Sequence, residues 1–307
     1  MKRILSLILC ACMLLSFAAC TAKGDGDDTT AADTTDKVIE ETKKEEPKEK
    51  YKDILSLEKL NGISKISETS IGLDNVLAFS VIYRLNGVSE TAFITAPLDY
   101  EEKNCPVVIN YCEGSISPRD DARLFAINGF IGITLTENED SYDLGDKEAA
   151  KAGFFADILA KAAFSKESKI FVAGKGLRSV CAFSAAKLLG DKLAGVLCAD
   201  PVADLAKQYS DNRTSRDVCF GIIGAKPAVN AEAYDSRSAV KFADKLLCPV
   251  LLITYTENAD YAATQGEALK AVLDVAKKSV TYVCVEGESV GFLSQQAEEA
   301  LYNFIKK

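Results

Sequence analysis

The sequence lacks histidine: none of its 307 residues carries an imidazole. Imidazole is the usual general base near neutral pH and a frequent metal ligand. Its absence excludes a Ser–His–Asp triad and a Cys–His pair within this chain. Any hydrolytic chemistry would therefore depend on other residue types.

Cysteine is present, but the spacings that mark a metal site or a redox motif are absent. The ten cysteines include no CxxC pair, and an odd number of them follows position 20. This pattern indicates neither a zinc site nor a disulfide framework, although a single disulfide stays open. Several cysteines lie in apolar runs such as "GVLCAD" and "TYVCVE", as buried thiols do. We predict no metal and no cofactor.

A basic stripe is also lacking. The chain has 36 basic and 45 acidic residues, for a net charge of −9. This acidic balance argues against a nucleic-acid partner. It also disfavours electrostatic adhesion of the chain as a whole to an anionic membrane surface.

The N-terminus has the pattern of an export signal. Lys2 and Arg3 precede the apolar run "ILSLILCACMLLSFAA", which is too short for a comfortable membrane span. The stretch "FAAC" that ends at position 20 resembles the lipobox of bacterial lipoproteins. This resemblance implies a lipoprotein signal peptide over residues 1–19 and lipidation of Cys20. We therefore expect a lipid anchor on the extracytoplasmic side of a bacterial cell membrane, with an ordinary signal peptide as the alternative.

The residues that follow form a polar, acidic stretch. The sequence "TAKGDGDDTTAADTTDKVIEETKKEEPKEK" has almost no large apolar side chains, so it cannot bury enough surface to offset the entropy lost on ordering. We predict a disordered tether over residues 20–52 and one domain over residues 53–307, a length that suits a single large core.

The domain begins with short β-rich runs and then alternates apolar runs with helical segments. The first three runs are "ISKISETSIG", "VLAFSVIYRLN" and "SETAFITAP", which predict N-terminal antiparallel strands. The later alternation predicts an α/β fold with a doubly wound, mostly parallel sheet and helices on both faces. Residues 202–246 break this alternation and could form a small lid. They include "SDNRTSRD", which reads as a polar loop.

Four stretches in this order resemble the α/β-hydrolase superfamily, in its prolyl-oligopeptidase and dienelactone-hydrolase-like branches, over roughly residues 65–307. They resemble the oxyanion strand, the G-x-S-x-G elbow, the acid-bearing loop and the histidine segment. In this chain they read "CPVVINYCEG", "IFVAGKGLRS", "AYDSRSAVKFADKLLCPVLLITYTENADYAATQGEAL" and "VCVEGESVGF".

The resemblance implies that all three triad positions have lost their chemistry. Gly176 stands at the nucleophile, Asn258 at the acid and Val290 at the histidine. Arg178 stands at the last glycine of the elbow, where a large side chain would crowd the site. The oxyanion loop is also altered, since the usual His-Gly-Gly is replaced by Cys112, Glu113 and Gly114. A shifted acid at Glu257 or Asp260 is the alternative to loss of the acid.

Three other interpretations of the elbow stay open. Ser179 and Lys175 could act as a Ser–Lys catalytic pair. Lys175, Arg178 and the free N–H groups of a helix N-terminus could hold an anion. The pattern G-x-G-x-x-S with Asp200 after the next strand also has the form of a dinucleotide-binding fingerprint. Cys112 and Cys181 lack an evident base that would form a thiolate.

The sequence therefore predicts a catalytically inactive α/β-hydrolase-like lipoprotein with a binding or scaffold role at the cell envelope. A nonstandard serine hydrolase, an esterase or peptidase that uses Ser179 with Lys175, is the alternative. A lipoprotein that captures a ligand for a transporter is a second one. The expected partners are the membrane, through the lipid anchor, and an unidentified ligand or protein.

Overall fold

The computed structural model describes residues 51–70, 74–111, 118–138, 141–258, 260–287 and 295–306. All of them lie within one compact unit of the chain, Pro47–Lys307. The predicted signal peptide, Cys20 and nearly all of the predicted tether lie outside these ranges. Across the ranges that are described, no helix combines the length and the apolar character needed to cross a bilayer.

One nine-stranded sheet, in the order β1-β2-β3-β5-β4-β6-β7-β8-β9, organises the described residues. The pairs β1/β2, β2/β3 and β3/β5 are antiparallel, and the six strands from β4 to β9 run parallel. The strands are β1 Ile63–Glu68, β2 Val76–Leu85, β3 Val88–Pro97, β4 Val107–Tyr111, β5 Ile131–Leu135, β6 Ile170–Lys175, β7 Gly195–Ala199, β8 Val250–Tyr255 and β9 Val280–Val285.

Helices connect the parallel strands and also lie before β1 and after β9. They are α1 Lys52–Ser56, α2 Pro118–Ile127, α3 Asp146–Leu159, α4 Arg178–Leu189, α5 Leu205–Asp211, α6 Arg213–Ile223, α7 Ala231–Asp235, α8 Ala263–Val275 and α9 Gln295–Ile305. Short 3-10 helices lie at Leu57–Lys59, Tyr100–Glu102, Gly190–Lys192, Ala239–Lys241 and Ala243–Lys245.

Alternate residues of each parallel strand enter different cores on the two faces of the sheet. In β6, Val172 packs in the larger core with α3, α4 and α8. Its neighbours Phe171 and Ala173 pack in the smaller core with α2 and α9. Side chains alternate across a strand, so a sheet covered on both faces needs apolar residues at every position. The predicted fold class, including the N-terminal antiparallel strands, is confirmed.

Residues 202–246 contain helices α5, α6 and α7 and no strand. The expectation of a polar loop at "SDNRTSRD" was wrong, because this run is a junction between two helices. Asn212 ends α5 and caps α6 by accepting a hydrogen bond from the Ser215 N–H (2.7 Å). A side-chain oxygen at an N-cap satisfies a backbone donor that the helix leaves unpaired, so a polar run can also mark a helix start.

Candidate functional site

Strand β6 leads into a tight turn at Gly176 and then into helix α4. Gly176 has a φ of +54°, which glycine adopts without a Cβ penalty. Its N–H donates to the Ala199 carbonyl of β7 (3.0 Å). A Cβ at Gly174 would lie 2.4 Å from the Arg178 carbonyl oxygen, so the close approach of strand and helix also requires glycine there. This strand–turn–helix path is that of a nucleophile elbow, as the sequence predicted.

The ring of Tyr261 fills the space that a side chain at position 176 would enter. A Cβ on Gly176 would lie 2.5 Å from Tyr261 Cζ and 2.7 Å from its hydroxyl oxygen. These separations are well inside normal van der Waals contact. Sequence reasoning missed Tyr261, because the contact joins distant parts of the chain and "NADYAAT" carries no signal for it.

Asn258, at the predicted acid position, holds the loop that carries Tyr261. Its side-chain oxygen accepts hydrogen bonds from the backbone N–H groups of Asp260 (3.0 Å) and Tyr261 (3.2 Å). Its amide nitrogen donates to a carboxylate oxygen of Asp200 (2.8 Å). The amide therefore links the β8–α8 loop to the end of β7 and helps to fix the tyrosine over the elbow.

Asp200 is a buried carboxylate immediately after β7, and it has a positive φ of +46°. The other carboxylate oxygen accepts a hydrogen bond from the Tyr255 N–H (3.3 Å). Positive φ is uncommon for a residue other than glycine, and aspartate is among those that tolerate it. Its position at the carboxyl end of the parallel sheet, where ligands bind in open α/β folds, makes it part of the candidate site.

The region 202–246 contacts the same loop from outside. Gln208 of α5 donates to the Asp260 carbonyl (2.8 Å), and the Asn212 amide donates to the Asp260 carboxylate (3.1 Å). At the start of α8, Gln265 accepts hydrogen bonds from the N–H groups of Ala203 (3.1 Å) and Asp204 (2.8 Å). The region thus packs over the elbow side of the sheet; that it moves as a lid stays a prediction.

Ser179 is fully buried in the first turn of α4. Its hydroxyl donates to the Gly176 carbonyl (2.7 Å) and accepts from the Val202 N–H (2.8 Å). These bonds tie the elbow to the segment after β7. Lys175 is also buried, at the last position of β6. The hydroxyl would have to give up both contacts to attack a substrate, and the Ser179–Lys175 pair stays a prediction.

Arg178 is buried, and its guanidinium reaches a partly exposed acidic partner. Its guanidinium forms an ion pair with Glu137, donates to the Tyr142 hydroxyl and lies 4.6 Å from the centre of that ring. Glu137 thus neutralises the charge of Arg178 locally, which weakens the case for an anion held by Arg178 with Lys175.

The Cys181 thiol lies 3.9 Å from the Tyr142 hydroxyl. Burial raises the pKa of that thiol and disfavours a reactive thiolate.

A second buried polar cluster lies between β3 and α3. The Lys151 ammonium is 3.1 Å from Glu90 and 3.0 Å from Glu148, and all three side chains are at most 2% exposed. Ser141 donates to Glu90 (2.6 Å). Burial raises the pKa of Glu148 to about 7, although Lys151 acts in the opposite direction. The cluster therefore holds one cation between two carboxylates, and protonation of Glu148 relieves the excess negative charge near neutral pH.

Glu148 is expected to make stability fall with rising pH. The folded pKa of Glu148 is about 7 and exceeds the ordinary 4.5. Its contribution to the free energy of unfolding is therefore fully present below pH 4.5 and is lost as the pH rises through 7. Glutamine resembles the protonated form, so Glu148→Gln should gain about 2–4 kcal/mol relative to wild type between pH 4.5 and 8. Urea unfolding at several pH values measures this difference. The same substitution at exposed Glu267 is the control, and a pH-independent difference at Glu148 would contradict the assignment.

Several predicted positions lie outside the described residues: Val290, Cys112, Glu113 and Gly114. The proposed loss of histidine at position 290 and the altered oxyanion loop therefore stay predictions. Within the described ranges, no group of three or more Cys, Asp or Glu side chains is arranged to hold a metal ion.

Solved structures with the same fold include two peptidases and an esterase, whereas no family model and no curated protein matches the sequence. A puromycin-hydrolysing peptidase from Mycobacterium tuberculosis aligns with a TM-score of 0.62 and 20% identity, over 77% of this chain and 39% of that one. An acylaminoacyl peptidase bound to Z-Gly-Gly-Phe-chloromethyl ketone aligns with a TM-score of 0.62 and 14% identity, over 76% and 41%. An acetyl xylan esterase from Paenibacillus sp. R4 aligns with a TM-score of 0.58 and 12% identity, over 82% and 90%.

These likenesses confirm the α/β-hydrolase fold that the sequence predicted. The chain spans about two-fifths of the two peptidases and nine-tenths of the esterase. At such low identity the comparison establishes the fold alone.

Proposed function

We propose that this chain is a catalytically inactive α/β-hydrolase-fold lipoprotein that binds a ligand or protein partner at the cell envelope. The observation that carries the proposal is the ring of Tyr261, which fills the place of a nucleophilic side chain above Gly176. The absence of histidine from the whole chain removes the usual base as well. Loss of triad members in hydrolases of known mechanism lowers the rate by about 10⁴- to 10⁶-fold.

The polar groups around the elbow support a structural role. The side-chain oxygens of Ser179 and Asn258 each bond the backbone, and Glu137 pairs with Arg178. Polar groups that are satisfied in this way at or near the buried elbow stabilise one arrangement of the loops. We infer that the former catalytic centre now maintains the shape of the surface above it, and that this surface is what the protein uses.

A nonstandard serine hydrolase is the second candidate. Two observations favour it: Lys175 and Ser179 are both buried at the elbow, and the fold occurs in proteins described as peptidases and as an esterase. A ligand-capturing role would normally use a cleft between two lobes, whereas the described residues share one sheet.

The protein is expected not to react with a fluorophosphonate probe. Its fully buried serine hydroxyl is bonded on both sides, and no imidazole is available to activate it. Intact-mass spectrometry after incubation with the probe should show the unmodified mass, and activated esters should not turn over above the buffer rate. An active serine esterase serves as the positive control. A stoichiometric adduct that disappears in Ser179→Ala would overturn inactivity in favour of the Ser179–Lys175 hydrolase.

A further inference from the structure

Helix α6 presents one side to solvent. Arg213, Arg216 and Phe220 follow one another at helical spacing on that side, and all three are exposed. The opposite side carries Ser215 and Cys219, which are buried. The exposed fraction of Phe220 is 46%, which is high for an aromatic residue of a helix packed on a domain.

Two further exposed residues follow the end of the helix. Lys226 is exposed, and Val229 has an exposed fraction of 78%. A Cβ built at Gly221 or Gly224 would meet no atom within 4 Å, so the surface between these residues is open. We name the surface formed by Arg213, Arg216, Phe220, Lys226 and Val229 the α6 face.

The charge of the α6 face differs from that of the chain. Residues 213–229 contain Arg213, Arg216 and Lys226 against a single acidic residue, Asp217, whereas the chain carries a net charge of −9. The net charge disfavours adhesion of the whole domain to an anionic membrane. Residues 213–229 nevertheless carry a local excess of basic side chains close in sequence to exposed apolar ones, although Arg216 also donates to the Tyr209 and Ser210 carbonyls.

We propose that the α6 face docks on the lipid bilayer that holds the protein. Exposed aromatic and aliphatic side chains beside arginine and lysine are typical of surfaces that lie in the headgroup and acyl boundary. Each basic residue near an anionic bilayer strengthens binding by about 1 kcal/mol, or about fivefold. The proposal rests on the lipid anchor of the proposed function, since only an anchored domain meets the bilayer continuously.

The length of chain between the predicted anchor and the domain supports a bilayer as the occupant. A flexible tether over residues 20–52 would have a root-mean-square length of about 30 Å. The domain would therefore stay within reach of the membrane, and a weak surface affinity would suffice because the effective concentration is high.

A short series of contacts connects α6 to the candidate site. Asn212 caps α6 and bonds the Asp260 carboxylate. Asp260 directly precedes Tyr261, whose ring covers Gly176. A bilayer that fixes α6 would therefore also restrain the loop above the elbow.

A single-tryptophan reporter tests the docking. The chain contains no tryptophan, so Val229→Trp gives a unique signal. Leu98→Trp is the matched control, because Leu98 is apolar, 49% exposed and close in sequence to the acidic Asp99 and Glu101. The lipidated full-length variants are reconstituted in anionic vesicles. We expect the emission of Val229→Trp to shift to shorter wavelength and to be quenched by brominated lipids, whereas Leu98→Trp keeps the emission of a solvated indole.

Further variants show whether the native face drives the docking. Adding Phe220→Ser to Val229→Trp should abolish the shift, and adding Arg213→Gln with Lys226→Gln should lower the docking equilibrium about 25-fold on anionic vesicles. A shift that survives all three substitutions would overturn the proposal, because the introduced indole alone would then cause it.

The outcomes separate this inference from the proposed function. Protein that floats with the vesicles but gives the same emission from both reporters overturns docking, leaves the anchor intact and assigns the α6 face to a protein partner. Protein that fails to float overturns the anchor and the docking together.

Discussion

Lys151→Met is expected to lower the free energy of unfolding by about 3–5 kcal/mol at pH 8, because the substitution leaves two buried carboxylates without their cation. Glu90 and Glu148 both lie near 3 Å from the ammonium, and all three side chains are almost completely buried. Methionine keeps nearly the same volume, so the loss reports the missing charge and its hydrogen bonds, including the one to the Thr136 carbonyl (3.5 Å), and not a cavity. Urea unfolding of the wild type and the variant measures it.

Three comparisons make this result specific. Lys192→Met breaks the ion pair with Asp157, in which both side chains are 64% exposed, and should cost at most about 1 kcal/mol. Adding Glu90→Gln to Lys151→Met should restore part of the loss, because one carboxylate then no longer needs a cation. The loss should also shrink toward pH 5, where Glu148 is protonated. A loss below about 1 kcal/mol at pH 8 would mean that water reaches the cluster.

The buried cluster marks the limit of what sequence periodicity can predict. The segment "KEAAKAGFFADILAKAAF" has apolar residues at helical spacing, and its residues 147–159 lie in α3. The same pattern gives Glu148 and Lys151 the appearance of a solvated face. Their burial depends on Glu90, which lies on strand β3 opposite Tyr83 of β2. Only the packing of β3 against α3 brings the three charges together.

The fold itself could be predicted because the local composition of the sequence indicates its strands and helices. Continuous apolar runs such as "PVVINY" become strands buried on both faces, since both cores need side chains from every strand. The prediction of a loop at "SDNRTSRD" was wrong because the local composition of this run is ambiguous. Asn and Ser favour both loops and helix N-caps, and composition alone does not distinguish the two.

The candidate site could be predicted only in part, for a similar reason. The resemblance to α/β-hydrolases implied that Gly176 and Asn258 stand where a hydrolase carries its nucleophile and acid. It gave no sign that Asn258 would bond Asp200 or that Tyr261 would cover Gly176. Those contacts join β6, β7 and the β8–α8 loop, and they depend on the sheet order.

Restoring a nucleophile at the elbow is expected to destabilise the protein rather than activate it. Gly176→Ser should lower the free energy of unfolding by about 2–5 kcal/mol, the sum of backbone strain at positive φ and overpacking. The strain arises from the φ of +54°, and the overpacking from a Cβ placed 2.5 Å from the Tyr261 ring. Urea unfolding measures the loss, and ester turnover should stay at the buffer rate because the chain has no histidine.

A double-mutant cycle with Tyr261→Ala separates the cost of backbone strain from the cost of overpacking. In the alanine background, Gly176→Ser should retain only the backbone cost, so the coupling energy between positions 176 and 261 should be about 1–3 kcal/mol. Gly129→Ser is the matched control, because Gly129 has a φ of +85° and no atom within 4 Å of a Cβ; its cost should be independent of Tyr261. A coupling energy near zero would mean that the tyrosine ring does not fill the place of the nucleophile in solution. The proposed loss of catalysis would then depend on the missing histidine and on the replaced triad residues, without a contribution from Tyr261.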